Sequence, residues 1–406
     1  MTRLPIWATV LLAVGTLTAA CGGVGPPTGH PVSTPTGAVS PLTPSKGSPP
    51  PPGQPLGGAT LWVSDLSWVS DQDGWAIGTA NGCAPTSTNC TDVLHTTDGG
   101  VQWTQLGTIP TPPGQVLNRI KFATSEVGYA FVSNGQSAAH MTLNGGRSWQ
   151  LMPGPPVAAL KVLGGTVVAV RFDHSGCPGP CTWSIDAAPI GSTGWRTLID
   201  PPGNQVNHDS AILVTQGPDT IYAAFPSNPA QGVVRPGDQF LISHNGGATW
   251  SLIGSPCREG GITQAMTIYV AAAPAQVLAV LCLESPSQRS EYVRVSTNGG
   301  VTFGPPRAVP GNGSFSQLAV TSGSSLFVGN AVSGGSGAYG YQLMGSFDGG
   351  LSWTTLASQT AALPGPETDP SDFLGFEDAT HGRWIGGASS LWTTSDGGRN
   401  WSESAF

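Results

Sequence analysis

The most regular chemical feature of this sequence is an acid or its amide, placed before two glycines and followed by an aromatic residue. The six copies pair Asp98 with Trp103, Asn144 with Trp149, Asn245 with Trp250, Asn298 with Phe303, Asp348 with Trp353, and Asp396 with Trp401. An aspartate at such a position could act as a general acid or a metal ligand. Three of the copies carry asparagine, and either role would discriminate sharply between the two residues. The repeat therefore predicts a structural turn.

Elementary physical chemistry says what such a turn needs. A short side-chain oxygen accepts backbone N–H groups inside a tight reversal of the chain. The two glycines supply positive φ values. The aromatic ring folds back as an apolar plug, and an indole N–H can then donate to a carbonyl. We expect Asp and Asn to be equivalent in this role.

Other catalytic signatures are weaker. The stretch "GSGAYG" (Gly335–Gly340) matches a dinucleotide-binding pattern, but it lies between two predicted strands and no helix follows it. His208, Asp209 and Ser210 are residue types found in hydrolases, but adjacent positions on a strand point to opposite faces. The sequence has neither a Gly-x-Ser-x-Gly elbow nor a His-Glu-x-x-His zinc helix. We therefore expect no cofactor and no metal.

Cysteines indicate disulfide bonds. Apart from Cys21, the chain has an even number of them, which is typical of exported proteins. Proximity along the chain favours the pairs Cys83–Cys90, Cys177–Cys181 and Cys257–Cys282. The first two would pin hairpin loops, and the third would tie neighbouring strands. Metal binding is the alternative, but no Cys-x-x-Cys pair and no well-placed histidine accompanies these cysteines.

The elements that position the repeated turn are short strands. The copies recur about every 50 residues, a period typical of propellers or solenoids. In the first unit we predict strands at Leu66–Ser70, Gly74–Thr79, Val93–Thr97 and Gln102–Leu106. One interval is double, and the segment Cys181–Leu198 keeps a strand, a Gly-rich turn and Trp195 in the missing place. Residues 59–406 are thus predicted to form an all-β, seven-bladed propeller of four-stranded antiparallel blades.

The turn also resembles a known motif. Ser/Thr-x-Asp-x-Gly-x-x-Trp is similar to the Asp-box, or BNR repeat, of sialidases, sortilin-type receptors and related propellers. The combination of "DGWAIG" with "TTDGG" and a tryptophan, at this period, more closely resembles the seven-bladed propellers of the photosystem II assembly-factor family. The resemblance covers about residues 60–406 and implies a fold rather than an activity, because the motif is structural.

The sialidase family implies an arginine triad, a Tyr/Glu nucleophile pair and an Asp acid/base. The Arg-Ile-Pro signature of that family is absent, and neither Tyr339 nor Tyr341 has a glutamate placed by sequence to activate it. Nothing in the sequence marks three arginines as convergent among Arg119, Arg171, Arg258, Arg294 and Arg383. A sialidase-like glycoside hydrolase is kept as the alternative function.

A binding surface is the preferred site. In a propeller, the connections from each fourth strand to the next inner strand open on one face, around the central channel. The polar residues predicted there are Asp65, Arg119, His208, Asp209, Arg258, Glu259, Gln317 and Asp372. They are either solvated loop residues or a mixed-charge ring that binds a protein or glycan partner.

Composition narrows the partners. Only 9% of the residues are charged and the net charge is −8, whereas about a quarter are charged in ordinary globular domains. The sequence has no Lys/Arg stripe with which to neutralise phosphates, so nucleic acid is not an expected partner. We expect a monomer.

The N-terminus predicts export. Arg3 and the apolar run Leu4–Leu17 are typical of a signal peptide, assigned to residues 1–20. "LTAAC" (Leu17–Cys21) resembles the lipobox of bacterial lipoproteins, with Cys21 as the lipidated residue; a plain secretory signal is the alternative. Residues 21–58 read as a disordered linker rich in Pro, Gly, Ser and Thr. The protein is thus expected on the outer face of the cell membrane, attached through its lipid only.

Closure of the ring yields a last expectation. The segment "GATLWVS" (Gly58–Ser64) has strand character beyond what the first blade needs. We expect it to lie against the final blade, or to continue into its own inner strand beside that blade.

Overall fold

Runs of alternating apolar and polar residues, separated by glycine-rich turns, form strands along the chain from Leu61 onward. The computed structural model describes residues 54–55, 61–80, 87–113, 115–133, 135, 137–173, 181–200, 205–206, 211–226, 239–258, 265–284, 290–311, 315–334, 338–362, 373–386 and 390–406. The predicted signal peptide, Cys21 and most of the predicted linker lie outside these ranges. The described residues form no helix that is long and apolar enough to cross a bilayer.

Consecutive strands group into seven antiparallel sheets, the blades. Blade 1 contains β2 (Leu61–Trp68), β3 (Gly74–Ala80), β4 (Thr91–Thr96) and β5 (Thr104–Ile109), and blade 2 contains β6 (Arg119–Phe122), β7 (Gly128–Phe131), β8 (His140–Thr142) and β9 (Gln150–Leu151). Blade 3 contains β10 (Val157–Leu163), β11 (Thr166–Asp173), β12 (Cys181–Pro189) and β13 (Arg196–Ile199), and blade 4 contains β15 (Ile212–Gln216), β16 (Thr220–Phe225), β17 (Gln239–Ser243) and β18 (Ser251–Ile253). Blade 5 contains β19 (Met266–Ala273), β20 (Val277–Leu283), β21 (Glu291–Ser296) and β22 (Arg307–Val309). Blade 6 contains β23 (Phe315–Val320), β24 (Leu326–Gly334), β25 (Ala338–Ser346) and β26 (Thr354–Ala362). Blade 7 contains β27 (Leu374–Phe376), β28 (Gly382–Ile385), β29 (Ser390–Thr394) and β30 (Ser402–Ala405).

Two short strands extend this pattern. β1 (Gln54–Pro55) pairs antiparallel with β5 and adds a fifth strand to the outer edge of blade 1. β14 (Gln205–Val206) pairs with the start of β12. Gln54 and Pro55 lie in the predicted linker, so strand pairing begins earlier than expected. Proline has no backbone N–H to donate, so within a sheet it is tolerated on an edge strand, where no further strand needs that donor.

The core lies between the blades. Alternate residues of a strand point to opposite sides of the sheet, so each blade has two apolar faces. Seven clusters of buried apolar residues result, and each joins two neighbouring blades. Between blades 1 and 2, for example, Trp75 stacks on Phe122 with ring centroids 3.8 Å apart. The blades therefore close into the seven-bladed propeller that the sequence predicts.

The seam between blades 7 and 1 is closed by side chains. Leu61 and Val63 of β2 share one buried cluster with Ile385 and Leu391 of blade 7. At the outer rim, the rings of Trp103 and Phe406 lie 5.3 Å apart. The expectation for Gly58–Ser64 is confirmed from Leu61 onward, because these residues continue into the inner strand of blade 1 beside the last blade. This also explains why β2 begins earlier than predicted.

Arg383 adds a polar clamp to the same seam. Its guanidinium carbon lies 4.2 Å from the centroid of the Trp68 ring, across the blade boundary. Its Nη2 donates to the backbone oxygen of Asp71 at 2.9 Å. A cation held against an aromatic face in a partly desolvated place stabilises the contact between the first and last blades.

One predicted disulfide is confirmed. Cys257 and Cys282 are bonded, with their Cα atoms 5.6 Å apart. The sequence predicts that this bond ties two neighbouring strands, but it joins the 3₁₀ turn Pro256–Arg258 to β20. Cys90 is disulfide-bonded, while its predicted partner Cys83 lies outside the described residues, as does Cys177.

Candidate functional site at the centre of the ring

The repeated turn is satisfied by its own side chains. In the first copy, Asp98 Oδ1 accepts the backbone N–H of Gln102 at 2.9 Å and the hydroxyl of Thr96 at 2.8 Å. Thr96 Oγ1 in turn accepts the backbone N–H of Gly100 at 3.0 Å. The glycines of the turn have φ values of 77° and 93°. These hydrogen bonds hold the pKa of Asp98 below its ordinary value, the one from Gln102 most of all.

Asn copies use the same oxygen. Asn144 Oδ1 accepts the backbone N–H of Ser148 at 2.9 Å, and its Nδ2 donates to the Ser148 hydroxyl at 2.8 Å. In the Asp348 copy that donation is reversed, because the hydroxyl of Ser352 donates to Oδ2 at 2.5 Å. The hydroxyl thus adapts to whichever residue is present, and the turn needs no charge.

The second glycine of each turn touches the preceding blade. A Cβ on Gly100 would lie 2.7 Å from Leu391 Cδ2 of blade 7, and one on Gly247 would lie 2.5 Å from Leu198 Cδ1 of blade 3. Blade 3, which lacks the acid, keeps a glycine with positive φ at Gly191, whose N–H donates to Tyr129 Oη of blade 2 at 2.9 Å. These turns are joints between blades.

The aromatic residue of the turn behaves as predicted in part. The indole Nε1 of Trp149 donates to the backbone oxygen of Gly146 at 3.0 Å, and Trp250 and Trp401 make the same bond at 3.1 and 2.9 Å. Within the described part of the chain, the buried Nε1 atoms of Trp103 and Trp353 have no hydrogen-bond partner. Packing, rather than that hydrogen bond, is common to all copies.

Strand direction separates two faces of the propeller. The repeated turns join third to fourth strands, at the same end of each blade as the connections between first and second strands; Gly99 N–H, for instance, donates to Gln72 O at 3.0 Å. We call this end the turn face. Connections from each fourth strand to the next blade lie at the opposite end, the crossover face, because antiparallel strands alternate in direction.

The predicted binding residues that the structure describes do not all lie together at one site. His208, Asp209, Glu259 and Asp372 lie outside the described residues. Arg258 donates through Nε to the backbone oxygen of Ala265 at 3.1 Å and so braces the connection into blade 5. Gln317 is buried on β23. Of the predicted binding residues that the structure describes, Asp65 and Arg119 are the pair that it brings together.

Asp65 and Arg119 lie on the inner strands of blades 1 and 2. Asp65 Oδ2 accepts the backbone N–H of Ile120 from β6 at 2.9 Å, which ties the two inner strands together. Burial raises the pKa of Asp65, against the opposing charges of Arg119 and Lys161. This carboxylate is thus held at the centre of the ring at a cost in solvation.

Two lysines that are not among the predicted binding residues complete the cluster. Lys121 follows Arg119 on β6, and Lys161 lies on β10, the next inner strand. Burial lowers the pKa of Lys121 to about 8 and also lowers that of Lys161. Both side chains are half-buried. Lys46, Lys121 and Lys161 are the only lysines of the chain, a scarcity that could have drawn attention to them.

Glu377 marks the turn-face end of this region, directly after β27. Burial raises its pKa to about 7, while the charge of Arg383 opposes the shift. Its Oε2 lies 3.7 Å from Arg383 Nη1. Because the charge of Glu377 also acts on Lys121, the acid and the lysine belong to one electrostatic system.

The geometry does not support the arginine triad of a sialidase-like site, because the candidate arginines have structural partners. Arg171 donates to the backbone oxygens of Pro155 and Pro153, at 3.0 and 3.1 Å, and Arg294 donates to Gly304 O at 2.8 Å. Arg383 closes the seam. Among the described residues, no group of three or more His, Cys, Asp or Glu is placed to hold a metal ion.

Comparison with known proteins supports the class of fold. No protein-family model and no curated protein sequence matches the chain. It is similar to a structure of YCF48 from Cyanidioschyzon merolae, with a TM-score of 0.53 and 14% identity over 85% of this chain and 99% of that one. A structure of YCF48 bound to D1 peptide gives 0.52 and 14%, over 84% and 91%. A PL25 ulvan lyase gives 0.51 and 8%, over 83% and 92%. At these identities the likeness shows the propeller fold alone.

Proposed function

We propose that this chain is a non-catalytic propeller that binds, or helps to assemble, a protein partner at the cell envelope. The binding surface is the crossover face together with the centre of the ring. The observation that carries the proposal is the cluster of Asp65, Arg119, Lys121 and Lys161 on three adjacent inner strands.

The electrostatics of this cluster favour binding over a structural role. Burial of charged groups opposes folding unless they are paired. The pKa of Asp65 is raised and those of Lys121 and Lys161 are lowered, and burial is the largest cause in each case. Groups held against their own solvation preference cluster at functional sites. A partner with complementary charge would replace the water that these groups have lost.

The comparison supports a protein as the partner. One of the similar structures is YCF48 bound to D1 peptide, so a propeller of this shape can present a surface to a polypeptide. An ulvan lyase is also among the similar structures, so it is the geometry that counts against the hydrolase alternative: Arg171, Arg294 and Arg383 are engaged by backbone oxygens of their own surroundings.

The envelope location rests on two features. The segment from Arg3 to Cys21 has the pattern of a lipoprotein signal. The disulfide Cys257–Cys282 is of a kind that persists in oxidising compartments. A Cys21→Ser variant should leave the membrane fraction and keep its melting temperature; continued membrane retention would contradict lipid anchoring.

Chemical crosslinking followed by capture tests the binding function. The tagged full chain is expressed as wild type, as Arg119→Glu, and as Arg196→Glu, a control on the exposed outer strand β13. We expect one envelope protein to be captured by the wild type and the control, with recovery reduced about tenfold for Arg119→Glu. Equal recovery from all three forms, or capture that disappears only when glycans are removed, would contradict a protein partner at this surface.

A further inference from the structure

Charge on the inner strands is confined to one side of the ring. The inner strands of blades 4 to 7, β15, β19, β23 and β27, contain no charged residue. Those of blades 1 to 3 contain Asp65, Arg119, Lys121 and Lys161. Three cations therefore accompany one carboxylate, in a chain whose acidic residues outnumber its basic ones by 23 to 15.

The single carboxylate of these strands is already engaged. Asp65 Oδ2 accepts the Ile120 N–H, and its charge is shared among Arg119, Lys161 and Lys121. The other nearby acid, Glu377, pairs with Arg383. Neither group is a dedicated counter-ion for the lysines.

The lysines themselves have no direct partner among the described residues. Lys121 and Lys161 take part in no hydrogen bond and no ion pair there, whereas Arg171 has both. The two ammonium groups also repel one another, since the charge of Lys161 lowers the pKa of Lys121. The charges of Asp65 and Glu377 offset this repulsion only in part, because the pKa values of both lysines are still lowered. An anion bound by both ammonium groups would reduce the remaining cost.

Polar side chains on the uncharged side are used between blades. Thr215 donates its hydroxyl to Val162 O at 3.0 Å, and Gln216 Nε2 donates to Val277 O at 2.9 Å. The half-exposed residues near them on inner strands include Val214, Ile268 and Ala271. The inner strands of this side therefore offer neither a competing acid nor a further cation. The acid that acts on Lys121 from this side is Glu377, directly after β27.

We propose that the centre of the ring binds an oxyanion, a carboxylate, sulfate or phosphate group, held by Lys121 and Lys161 with Arg119 on the crossover side. The inference rests on the proposed binding function, since it names the chemistry that the centre of that surface recognises. Ammonium groups act as point charges toward such ligands, and the guanidinium adds directed N–H donors.

Titration of the wild-type full chain with sodium sulfate, sodium phosphate and an N-acetylated triglutamate tests the site, against sodium chloride at equal ionic strength. Isothermal calorimetry at pH 7 should detect saturable binding of at least one of these oxyanions. Lys121→Gln and Lys161→Gln should each weaken it by about tenfold or more, and Arg196→Gln should not change it. Binding of sulfate or phosphate alone assigns a free ion; binding of triglutamate assigns an acidic peptide segment.

The pH dependence gives a second readout. Affinity should fall as pH rises through about 8, where Lys121 loses its proton. The charges that act on Lys121 are those of Lys161, Asp65 and Glu377, and Arg119 acts on Lys161. Lys121→Met and Lys161→Met serve where a glutamine variant does not fold, as judged by circular dichroism. Oxyanions that bind the wild type no better than chloride, or equal losses in the Arg196→Gln control, would overturn the site.

The outcomes separate this inference from the binding function itself. An oxyanion bound by a chain that captures no envelope protein would sustain the site and remove the proposed partner. A partner captured equally by the wild type and by Lys121→Gln, with no oxyanion bound, would sustain the partner and remove the site.

Discussion

The acids of the turn face and the charges at the centre of the ring differ in how they are held. Asp98 and Asp348 receive hydrogen bonds from residues within four positions along the chain, and these bonds lower the pKa of both carboxyls, that of Asp348 to about 2. Asp65 and Lys121 are held by strands of different blades, and burial shifts their pKa values toward the neutral forms. The charge of these turn carboxylates is satisfied locally, while charge at the centre depends on the assembled ring.

The largest expected effect comes from the plug of the repeated turn. Trp103 is buried between blades 1 and 7, in contact with Trp68 and Phe406. Trp103→Ala should lower the free energy of unfolding by about 3–5 kcal/mol, because a large aromatic residue is lost from a packed core. Chemical denaturation measures it; a loss below about 1 kcal/mol would mean that the turn does not anchor the blade.

The seam is next in size. Leu61 is buried against blade 7, so Leu61→Ser should cost about 2–4 kcal/mol through lost apolar contact and an added buried hydroxyl. Val32→Ser, in the predicted linker, is the matched control and should melt like the parent. Equal melting temperatures of both variants would show that closure of the ring does not depend on β2. The contrast between the turn face and the centre, which assumes this closed ring, would then no longer hold.

Lys121 tests the cost of charge at the centre. Its pKa of about 8 lies below the ordinary 10.5, so the unfolded chain binds more protons between these values and stability rises with pH there. Lys121→Met should therefore be more stable than the wild type by about 1–2 kcal/mol at pH 7, allowing for screening by water. The difference should shrink as pH increases from 8 toward 10.5. Thermal melts across that range would refute the idea if the variant were less stable at pH 7.

The smallest expected effect is that of Asp98→Asn. Asn144 already shows that an amide oxygen accepts the same backbone N–H. The variant should stay within about 0.5 kcal/mol of the parent at pH 7. A loss comparable to that of Trp103→Ala would mean that the charge matters and that the turn has been misread.

The sequence alone determined the features of the fold that repeat along the chain or that involve neighbouring residues. The acid-Gly-Gly turns, the period and the strands of each unit predicted seven four-stranded blades, and proximity predicted the Cys257–Cys282 bond. These features depend on residues close together in the chain, where turn chemistry and strand alternation act directly.

The site was decided only by the tertiary structure. Asp65, Arg119, Lys121 and Lys161 come from three units of the repeat, and β2, β6 and β10 become neighbours only when the blades pack face to face. In the sequence, Lys161 is the one charge of β10 and Lys121 shares β6 with Arg119, and neither pattern separates a buried charge from a solvated one. Burial and mutual repulsion, which mark them as a site, are properties of the closed ring.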